Sequence, residues 1–489
     1  MNLSVEEILE ATKATIIKND LVNETFTFST DTRTIKEGEI YLPLKGENFD
    51  GEKFIDKALE VGAIGYFTTS ANNSDAKIIM QVEDTLTAYL QLAQFYKRKI
   101  NPKTVAITGS CGKTTTKEMA YCVAKEKFKT HKSELNFNNE IGLCKTILSM
   151  PPDTEVLILE MGMRGLGEIE LLSKYSEPDI SIIANVGTAH IGRLGSKENI
   201  AKAKCEIVKH MKNGGLLIAH DDDLIKMQRC KDAKMQSLFF SLKNTKILER
   251  KIGYSKFVYK DNEYELNIEG DYNIENSLAV IEMGLELGLT PKEIHDGLVK
   301  YSPIEKRWDV QEIGGFNIIN DSYNANPDSM RAAIKTVLDT SSSPILFVLG
   351  DMFELGENEV QYHKEIGEFL VNYIKEKTPL RHCEESSDEA IQKNDSLGLL
   401  RLGFTPPRND AQKGIEVITV GQLANEISKV LNESKISSKN FENNLQTSRY
   451  ILDNVKVGTT IVLKASRSMK LEEILDEIKS KYTQGVNKQ

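Results

Sequence analysis

The sequence predicts an α/β protein of three domains built on parallel sheets, and three observations support this prediction. The chain has 489 residues, more than one hydrophobic core usually accommodates, so three domains are expected. Short apolar runs alternate with helical stretches, a pattern typical of strands buried on both faces of a parallel sheet. One such run, Thr104–Thr108, passes through a Gly-Ser-Cys-Gly turn into a helix that is predicted to begin near Lys113.

The remaining elements follow from local patterns taken in chain order. Ser4 and Glu7 have the spacing of a capping box, which predicts an amphipathic helix with one apolar side made by Val5, Ile8, Leu9 and Ile16. The predicted strands are Glu39–Leu44, Ile64–Thr68, Thr104–Thr108, Val156–Leu159, Ile180–Ala184, Leu216–Ala219, Asn317–Ile319, Ile345–Leu349, Ile415–Val420 and Thr460–Leu463.

Two polar segments interrupt this alternation. Residues 379–412 mix Pro, Ser, Arg, Glu and Asn between a helix ending near Lys377 and the strand at Ile415. We expect a surface insertion, disordered or weakly helical, with a functional lid as the alternative. Residues 435–447 are predicted to form a second polar loop.

Composition limits the classes of function. The chain has 62 basic and 72 acidic residues and a formal net charge of −10, which argues against an extended nucleic-acid-binding face. The acidic N-terminus lacks the features of a signal peptide, and no apolar segment is long enough to span a bilayer, so we expect a cytoplasmic protein without membrane insertion. The cysteines show no C-x-x-C spacing and are expected to be reduced packing residues: Cys111, Cys122, Cys144, Cys205, Cys230 and Cys383.

The turn after Thr108 has the features of a phosphate-binding loop. Such a loop directs successive backbone N–H groups into one concavity at the positive end of a helix dipole. Gly109 and Gly112 allow the backbone to approach an anion, Lys113 can neutralise phosphates, and Thr114 can ligate Mg²⁺. The spacing is shorter than G-x-x-x-x-G-K-[ST], and a glycine-rich turn that binds nothing is the alternative. We predict a nucleoside triphosphate site.

Polar groups follow the neighbouring predicted strands. Glu160 ends the strand that begins at Val156, where a carboxylate beside a phosphate loop can hold Mg²⁺. His190 follows the next strand, where it is either a packed residue or a contact to metal or substrate.

Several motifs follow one another along the chain: Ser29–Arg33, Leu44–Gly46, the short phosphate loop over Thr108–Met119, the Asn-rich segment Asn136–Gly142, Asn320–Pro327, Leu349–Gly356 and Lys464–Arg467. With these motifs in this order, the chain resembles from end to end the ATP-dependent Mur ligases of peptidoglycan precursor synthesis. The Tyr-Asn-Ala-Asn-Pro form within Asn320–Pro327 is typical of the branch that adds D-alanyl-D-alanine.

This resemblance implies a domain plan. Residues 1–98 would form a UDP-substrate-binding α/β domain, residues 99–310 a central ATPase domain with a P-loop-type parallel sheet, and residues 311–489 a C-terminal Rossmann-like domain. It also implies ATP, two Mg²⁺ sites, UDP-N-acetylmuramoyl-tripeptide and D-alanyl-D-alanine as ligands, and we expect a monomer. Another Mur-type or folylpolyglutamate-type ligase, or an inactive nucleotide-binding relative, is the alternative.

The resemblance also assigns roles to individual residues. Catalytic roles are implied for Lys113, His190 and Lys204. ATP contacts are implied for Gly109, Ser110, Cys111, Gly112, Lys113, Thr114, Thr115, Asn273, Asn276, Arg307 and Asp321. Metal contacts are implied for Thr114, Glu160, His190 and Lys204, the last as a carbamate. The UDP-substrate residues are Ser29, Thr30, Asp31, Arg33 and Gly46, and the dipeptide side comprises Tyr323, Asn324 and Asn326.

The residues alone leave some of these roles open. A solvated lysine on a helix is the simpler interpretation of Lys204, and Lys202 is equally eligible for modification. Asn273 suits either adenine recognition or capping of the helix that follows it. The Asn320–Pro327 segment could be a structured turn without a ligand.

Overall fold

The structure, a computed structural model, describes residues 2–22, 24–46, 49–70, 74–134, 136–229, 236–304, 306–377 and 414–486. The predicted insertion at 379–412 lies outside these ranges, as do Cys230 and Cys383. Among the cysteines within them, none forms a disulfide. Each helix in the described ranges is too short or too polar to cross a bilayer.

The chain divides into two compact units. Unit 1 comprises residues 1–303 together with Glu354–Gly356, and unit 2 comprises residues 304–353 and 357–489. The described residues form three main sheets, one with five strands and two with six strands. All three sheets are predominantly parallel. The predicted α/β class is confirmed, and the domain boundaries near residues 98 and 310 stay predictions.

The strands in the first part of unit 1 are β1 Leu3–Ser4, β2 Thr15–Asn19, β3 Thr25–Phe26, β4 Phe28–Ser29, β5 Ile40–Tyr41, β6 Lys45–Gly46, β7 Phe49–Asp50, β8 Gly65–Thr68 and β9 Ile78–Gln81. Five of them form one sheet in the order β2-β9-β8-β5-β4, with β2 antiparallel to its neighbour. Its helices are α1 Val5–Thr12, α2 Ile55–Glu60 and α3 Thr85–Ile100. The pairs β1-β3 and β6-β7 form two small sheets.

Helix α1 has the predicted capping box between Ser4 and Glu7, but the predicted apolar side is wrong at its end. Lys13 adopts a left-handed conformation (φ 56°) and terminates the helix, so Ile16 lies in β2. A left-handed residue after the last turn is a common way for a helix to end.

The second part of unit 1 begins with the strands β10 Lys103–Thr108, β11 Thr130–Lys132, β12 Val156–Glu160, β13 Ile180–Ile183, β14 Leu216–His220 and β15 Gln236–Phe240. These form a six-stranded, wholly parallel sheet in the order β11-β12-β10-β13-β14-β15. A separate antiparallel sheet follows, made of β16 Lys246–Lys251, β17 Tyr254–Tyr259 and β18 Asn262–Leu266. Its helices are α4 Lys113–Ala124, α5 Glu140–Leu148, α6 Glu168–Ser176, α7 Ile191–Leu194, α8 Lys197–Cys205, α9 Asp223–Arg229, α10 Asp271–Glu286 and α11 Pro291–Val299.

The strands of unit 2 are β19 Asp309–Ile313, β20 Phe316–Asn320, β21 Ile345–Gly350, β22 Ile415–Val420, β23 Ser438–Phe441 and β24 Thr460–Lys464. They form one sheet in the order β19-β20-β24-β21-β22-β23, which is parallel except for β19. Its helices are α12 Pro327–Thr340, α13 Glu359–Lys377, α14 Asn425–Glu433, α15 Asn444–Asn454 and α16 Glu472–Val486. The loop predicted at 435–447 is wrong, because β23 and the start of α15 occupy it.

The central strands are buried along their length, as the continuous apolar runs predict. All five residues of β12 and all six of β21 are buried. Because parallel strands end at one edge of their sheet, the residues that follow β10, β12 and β13 come together there.

Candidate active site

The phosphate-binding loop joins β10 to α4 in the predicted position. Gly112 has φ 76° and α4 begins at Lys113, with the first intrahelical bond donated by Thr116 N–H to the Gly112 carbonyl (2.8 Å). The N–H groups of the preceding residues, Lys113 to Thr115, have no acceptor within the helix and point out of its N-terminus. This is the geometry that binds a phosphate.

Both glycines of the loop are closely packed. A Cβ on Gly112 would lie 2.5 Å from Asn276 Oδ1, and a Cβ on Gly109 would lie 3.0 Å from the Cβ of Ala184. A side chain at Gly112 would clash with Asn276, and one at Gly109 would fit only with a small shift of its neighbours. Asn276, predicted to contact adenine, lies against the phosphate loop itself.

Asn185, a residue that we did not assign to the site, holds the loop from the β13 side. Cys111 N–H donates to Asn185 Oδ1 (2.9 Å), and Asn185 Nδ2 donates back to the Cys111 carbonyl (3.0 Å). Ser110 N–H donates to the Asn185 carbonyl (3.2 Å), while Ser110 Oγ accepts from Gly187 N–H (2.8 Å). The first half of the loop is thus fixed to the segment after β13, and the N–H groups at the start of α4 form the anion-facing half.

Lys113 lies over the mouth of its own loop. Its Nζ donates to the Gly109 carbonyl (2.8 Å), so the ammonium is already held where a phosphate would meet the helix N-terminus. Thr114, the predicted Mg²⁺ ligand, is buried in the first turn of the same helix.

Glu160 lies one strand away from the loop, paired in register with Ile107. Its Oε1 accepts from Asn138 Nδ2 (3.0 Å), and its Oε2 is buried without a hydrogen bond, 3.7 Å from Lys117 Nζ. A buried carboxylate oxygen with no donor suits a hard divalent cation, so this residue fits a Mg²⁺ site. Asn138, which orients the carboxylate, comes from the Asn-rich segment but was not predicted as a site residue.

Lys204 is buried in α8, whereas its neighbour Lys202 is exposed. The simpler interpretation of Lys204 as a solvated lysine is therefore wrong. Burial lowers the pKa of Lys204 well below its usual value, and the nearby charge of Lys113 lowers it further. The neutral amine is the form that reacts with CO₂.

His190 begins α7 in a left-handed conformation (φ 64°). Its Nδ1 lies 2.7 Å from the Oε2 of Glu354, a residue that groups with unit 1. Burial lowers the pKa of His190, and the charges of Lys113 and Lys204 lower it further, while Glu354 opposes them. The three predicted catalytic residues are therefore close enough to influence one another.

The predicted metal ligands do not form a ready-made cluster. Within the described ranges, no group of three His, Cys, Asp or Glu side chains is assembled for a metal. The first Mg²⁺ site fits Thr114 and Glu160. A second site at His190 fits Mg²⁺ only if Lys204 supplies carbamate oxygens, because an amine is a poor ligand for this ion.

Asn273 is almost fully buried, and its Nδ2 donates to the Glu269 carbonyl (2.7 Å) just before α10. Asn273 lies within the first turn of α10 and does not cap it, because the N-cap residue is Gly270 and no side chain makes a capping hydrogen bond there. The capping alternative is therefore wrong. Adenine recognition by Asn273 stays a prediction.

Four of the predicted UDP-substrate residues lie at and just after the carboxyl end of β4, which pairs in parallel with β5. Arg33 makes a two-pronged ion pair with Asp31 (2.6 Å at its shortest), and this contact lowers the pKa of Asp31 to about 2. Ser29 and Thr30 are half-buried. Gly46 is exposed in β6, which belongs to a separate two-stranded sheet.

The remaining predicted residues lie in unit 2. The Arg307 guanidinium stacks on the Tyr323 ring, with 3.8 Å between Cζ and the ring centroid. Lys464 Nζ donates to Asp321 Oδ2 (2.5 Å). Asn326 caps α12 by accepting from Ser329 N–H (2.9 Å), and Asn324 is exposed.

Comparison with known proteins identifies the family to which the chain belongs. Residues 107–284 match the Mur ligase middle domain, and residues 306–394 match the Mur ligase glutamate ligase domain. The chain belongs to the Mur ligase family of ATP-dependent ligases. It is 33% identical to UDP-N-acetylmuramoyl-tripeptide–D-alanyl-D-alanine ligase of Bacillus subtilis, over 97% of this chain and 98% of that protein.

Solved structures give the same result. The crystal structure of MurF ligase from Thermotoga maritima in complex with ADP has a TM-score of 0.76 and 26% identity, covering 94% of this chain and 98% of that one. A MurF crystal structure from Acinetobacter baumannii, at 24% identity, shares the fold with a TM-score of 0.81 over 98% of this chain and 99% of that one.

Proposed function

We propose that this protein joins D-alanyl-D-alanine to UDP-N-acetylmuramoyl-tripeptide, with conversion of ATP to ADP and phosphate, in cytoplasmic peptidoglycan precursor synthesis. The observation that carries this proposal is the loop of Gly112 and Lys113, formed at the N-terminus of α4 in a chain related to such ligases over almost its whole length. Cell wall growth, and through it cell shape and division, would depend on the product.

The reaction has two steps. A carboxylate of the tripeptide attacks the γ-phosphate of ATP, and ADP leaves with the formation of an acyl phosphate. The amine of D-alanyl-D-alanine then attacks the acyl carbon, a tetrahedral species forms, and phosphate leaves as the amide is completed.

The first step brings like charges together, so cationic neutralisation and fixed N–H donors should contribute most to catalysis. Lys113 and the N-terminus of α4 bind the phosphates, and Asn185 keeps the loop in place. Mg²⁺ held by Thr114 and Glu160 would neutralise further phosphate charge.

Other roles are proposals from the family resemblance. A carbamate on Lys204, with His190, would hold a second Mg²⁺. Asn273 and Asn276 would contact adenine, and Arg307 and Asp321 the rest of the nucleotide. Ser29, Thr30, Asp31, Arg33 and Gly46 would bind the UDP moiety. Asn324 and Asn326 would serve the dipeptide side, where the family motif also places Tyr323. We propose a monomer.

A coupled phosphate-release assay with mass analysis of the product tests this function. We expect ATP-dependent phosphate release only with both the UDP-tripeptide and D-alanyl-D-alanine, and a product heavier by one dipeptide. Comparing tripeptides with diaminopimelate or lysine at the third residue defines that specificity. Phosphate release that depends on a single amino acid or a folate, and not on the dipeptide, would overturn the proposal.

A further inference from the structure

Arg307 and Tyr323 form a face-to-face pair within unit 2. The guanidinium carbon lies 3.8 Å from the ring centroid, and both residues are half-buried. The Arg307 Nε is buried and makes no hydrogen bond to any described residue. A guanidinium that stacks through its face keeps its N–H groups at the edge of the plane, where they can meet an acceptor.

The turn that presents Arg307 is unusual. Lys306 has φ 65° and Trp308 has φ 59°, so two non-glycine residues in the left-handed region flank the arginine. Each such residue costs free energy and persists only where the surroundings hold it. Here the hold comes from burial of the Trp308 ring and from an ion pair of Lys306 Nζ with Glu472 (3.2 Å).

The segment that carries the Tyr323 ring is also anchored. Tyr323 N–H donates to the Lys306 carbonyl (3.0 Å), which ties the two segments together directly. Lys464 Nζ donates to the carboxylate of Asp321 and to the Asn324 carbonyl (3.3 Å), on either side of the tyrosine. The Arg307 segment and the Tyr323 segment are therefore each anchored by other contacts and are also joined to each other by a hydrogen bond.

We propose that Tyr323 is the positioning residue of Arg307: its ring holds the face of the guanidinium, so that the N–H groups at the edge of the plane are available to a phosphate of the nucleotide. This inference depends on the proposed function, in which Arg307 contacts ATP. It gives Tyr323 a role on the nucleotide side, in place of the dipeptide side that the motif alone implied.

The test compares Tyr323→Leu, which removes the aromatic face, with Tyr323→Phe, which keeps it. The dissociation constant of a non-hydrolysable ATP analogue is measured by calorimetry on the full chain with Mg²⁺. We expect Tyr323→Leu to weaken binding by about two- to thirty-fold and Tyr323→Phe by less than about two-fold, since the contact uses the ring face. The KM for D-alanyl-D-alanine should stay the same in both variants.

Trp308 is the only tryptophan of the chain and is buried next to Arg307, so its emission reports whether the turn is intact. Should Tyr323→Leu fail to fold, Tyr323→Met replaces it. Tyr450→Leu is the matched control, because Lys439 Nζ lies 4.3 Å above that ring in the same unit. We expect this control to leave analogue binding unaltered.

A double-mutant cycle completes the test. Because Tyr323 acts through Arg307, Tyr323→Leu should add little to Arg307→Lys. Additive effects, or a Tyr323→Leu variant that raises only the KM for D-alanyl-D-alanine, would overturn this inference and leave the proposed ligase intact. A wild-type protein that binds the analogue but forms no amide would instead overturn the proposed function.

Discussion

The side-chain amide of Asn185 and the backbone of Cys111 exchange two hydrogen bonds, 2.9 and 3.0 Å long, across the phosphate-binding loop. The amide substitutes for a strand partner at the point where β10 gives way to the loop. The loop is thus shaped before any nucleotide arrives, by a residue that follows the neighbouring strand.

Asn185→Ala should loosen the loop. Loss of two hydrogen bonds to the half-buried backbone of Cys111 predicts a KM for ATP raised by about ten-fold, with little change in the KM for the dipeptide. Steady-state kinetics with each substrate varied in turn measures this. The control is Asn262→Ala at the start of β18, where the side-chain amide donates to the Lys260 carbonyl (2.7 Å). An unchanged KM for ATP would show that the loop holds its conformation without the amide.

Lys113→Ala should abolish most activity, because it removes the ammonium that lies at the N-terminus of α4 and donates to the Gly109 carbonyl. We expect kcat to fall by about a hundred-fold or more, as is usual when a donor to a developing charge is removed. The exposed Lys125, at the end of the same helix, gives the control Lys125→Ala. Amide formation at the wild-type rate in Lys113→Ala would refute the assigned role.

Glu160 and Asn138 should determine the dependence on Mg²⁺. Asn138→Ala leaves the carboxylate unsupported and should raise the Mg²⁺ concentration for half-maximal activity by about ten-fold, and Glu160→Gln by more. Chelation of the metal should abolish turnover in every variant. Titration of Mg²⁺ at saturating substrates measures the effect, with the exposed Glu155→Gln as control. Equal Mg²⁺ curves for all variants would exclude Glu160 as a ligand.

Lys204 and Lys202 offer a matched pair for detecting a carbamate. With ¹³C-labelled bicarbonate, a carbamate resonance should appear in the wild-type protein and in Lys202→Gln, and be lost in Lys204→Gln. Since burial lowers the pKa of Lys204, its amine is neutral at lower pH than that of an exposed lysine, and labelling should persist towards neutral pH. A signal that disappears with Lys202 would reverse the assignment.

His363 should make stability depend on pH. Its Nε2 accepts from Met352 N–H (2.9 Å) and its Nδ1 donates to the Glu359 carbonyl (2.6 Å), so the folded protein holds the neutral form. Burial lowers the pKa of His363 below the usual 6.5. Below that pH the unfolded chain binds a proton that the folded chain does not, so the free energy of unfolding falls as pH falls.

Urea unfolding at pH values from about 7 down to 5 measures this slope. His363→Gln keeps one donor and one acceptor but does not titrate, so its midpoint should fall less steeply than that of the wild type. His295→Gln on α11 is the control. Parallel slopes for wild type and His363→Gln would contradict the prediction.

The fold could be predicted from the sequence where a single local pattern determines the structure. The loop at Lys113 and the buried strands β12 and β21 combine glycine turns with uninterrupted apolar runs, which few other structures accommodate. The antiparallel β16 to β18, by contrast, have no uninterrupted apolar run, because β16 is mostly exposed and β17 and β18 are only partly buried. The polar segment at 435–447 was mistaken for a loop because β23 is an edge strand that needs no apolar run.

The site was predicted in part for a similar reason. Glu160 ends β12, and the loop that leads to Lys113 follows β10, so the parallel pairing of the two strands places both residues at one edge of the sheet. Burial of Lys204 but not Lys202 depends on which side of α8 faces the sheet, and the role of Asn185 depends on a contact across two strands. The pairing of Arg307 with Tyr323 joins segments separated by a β-hairpin, which no local pattern encodes.

The bond from Lys113 Nζ to the Gly109 carbonyl has a consequence for turnover. An arriving triphosphate must compete with the protein's own carbonyl for that ammonium, and a charged phosphate oxygen is the stronger acceptor. Once the nucleotide has left, the same carbonyl is again at hand, so Lys113 has an acceptor both before and after each turnover.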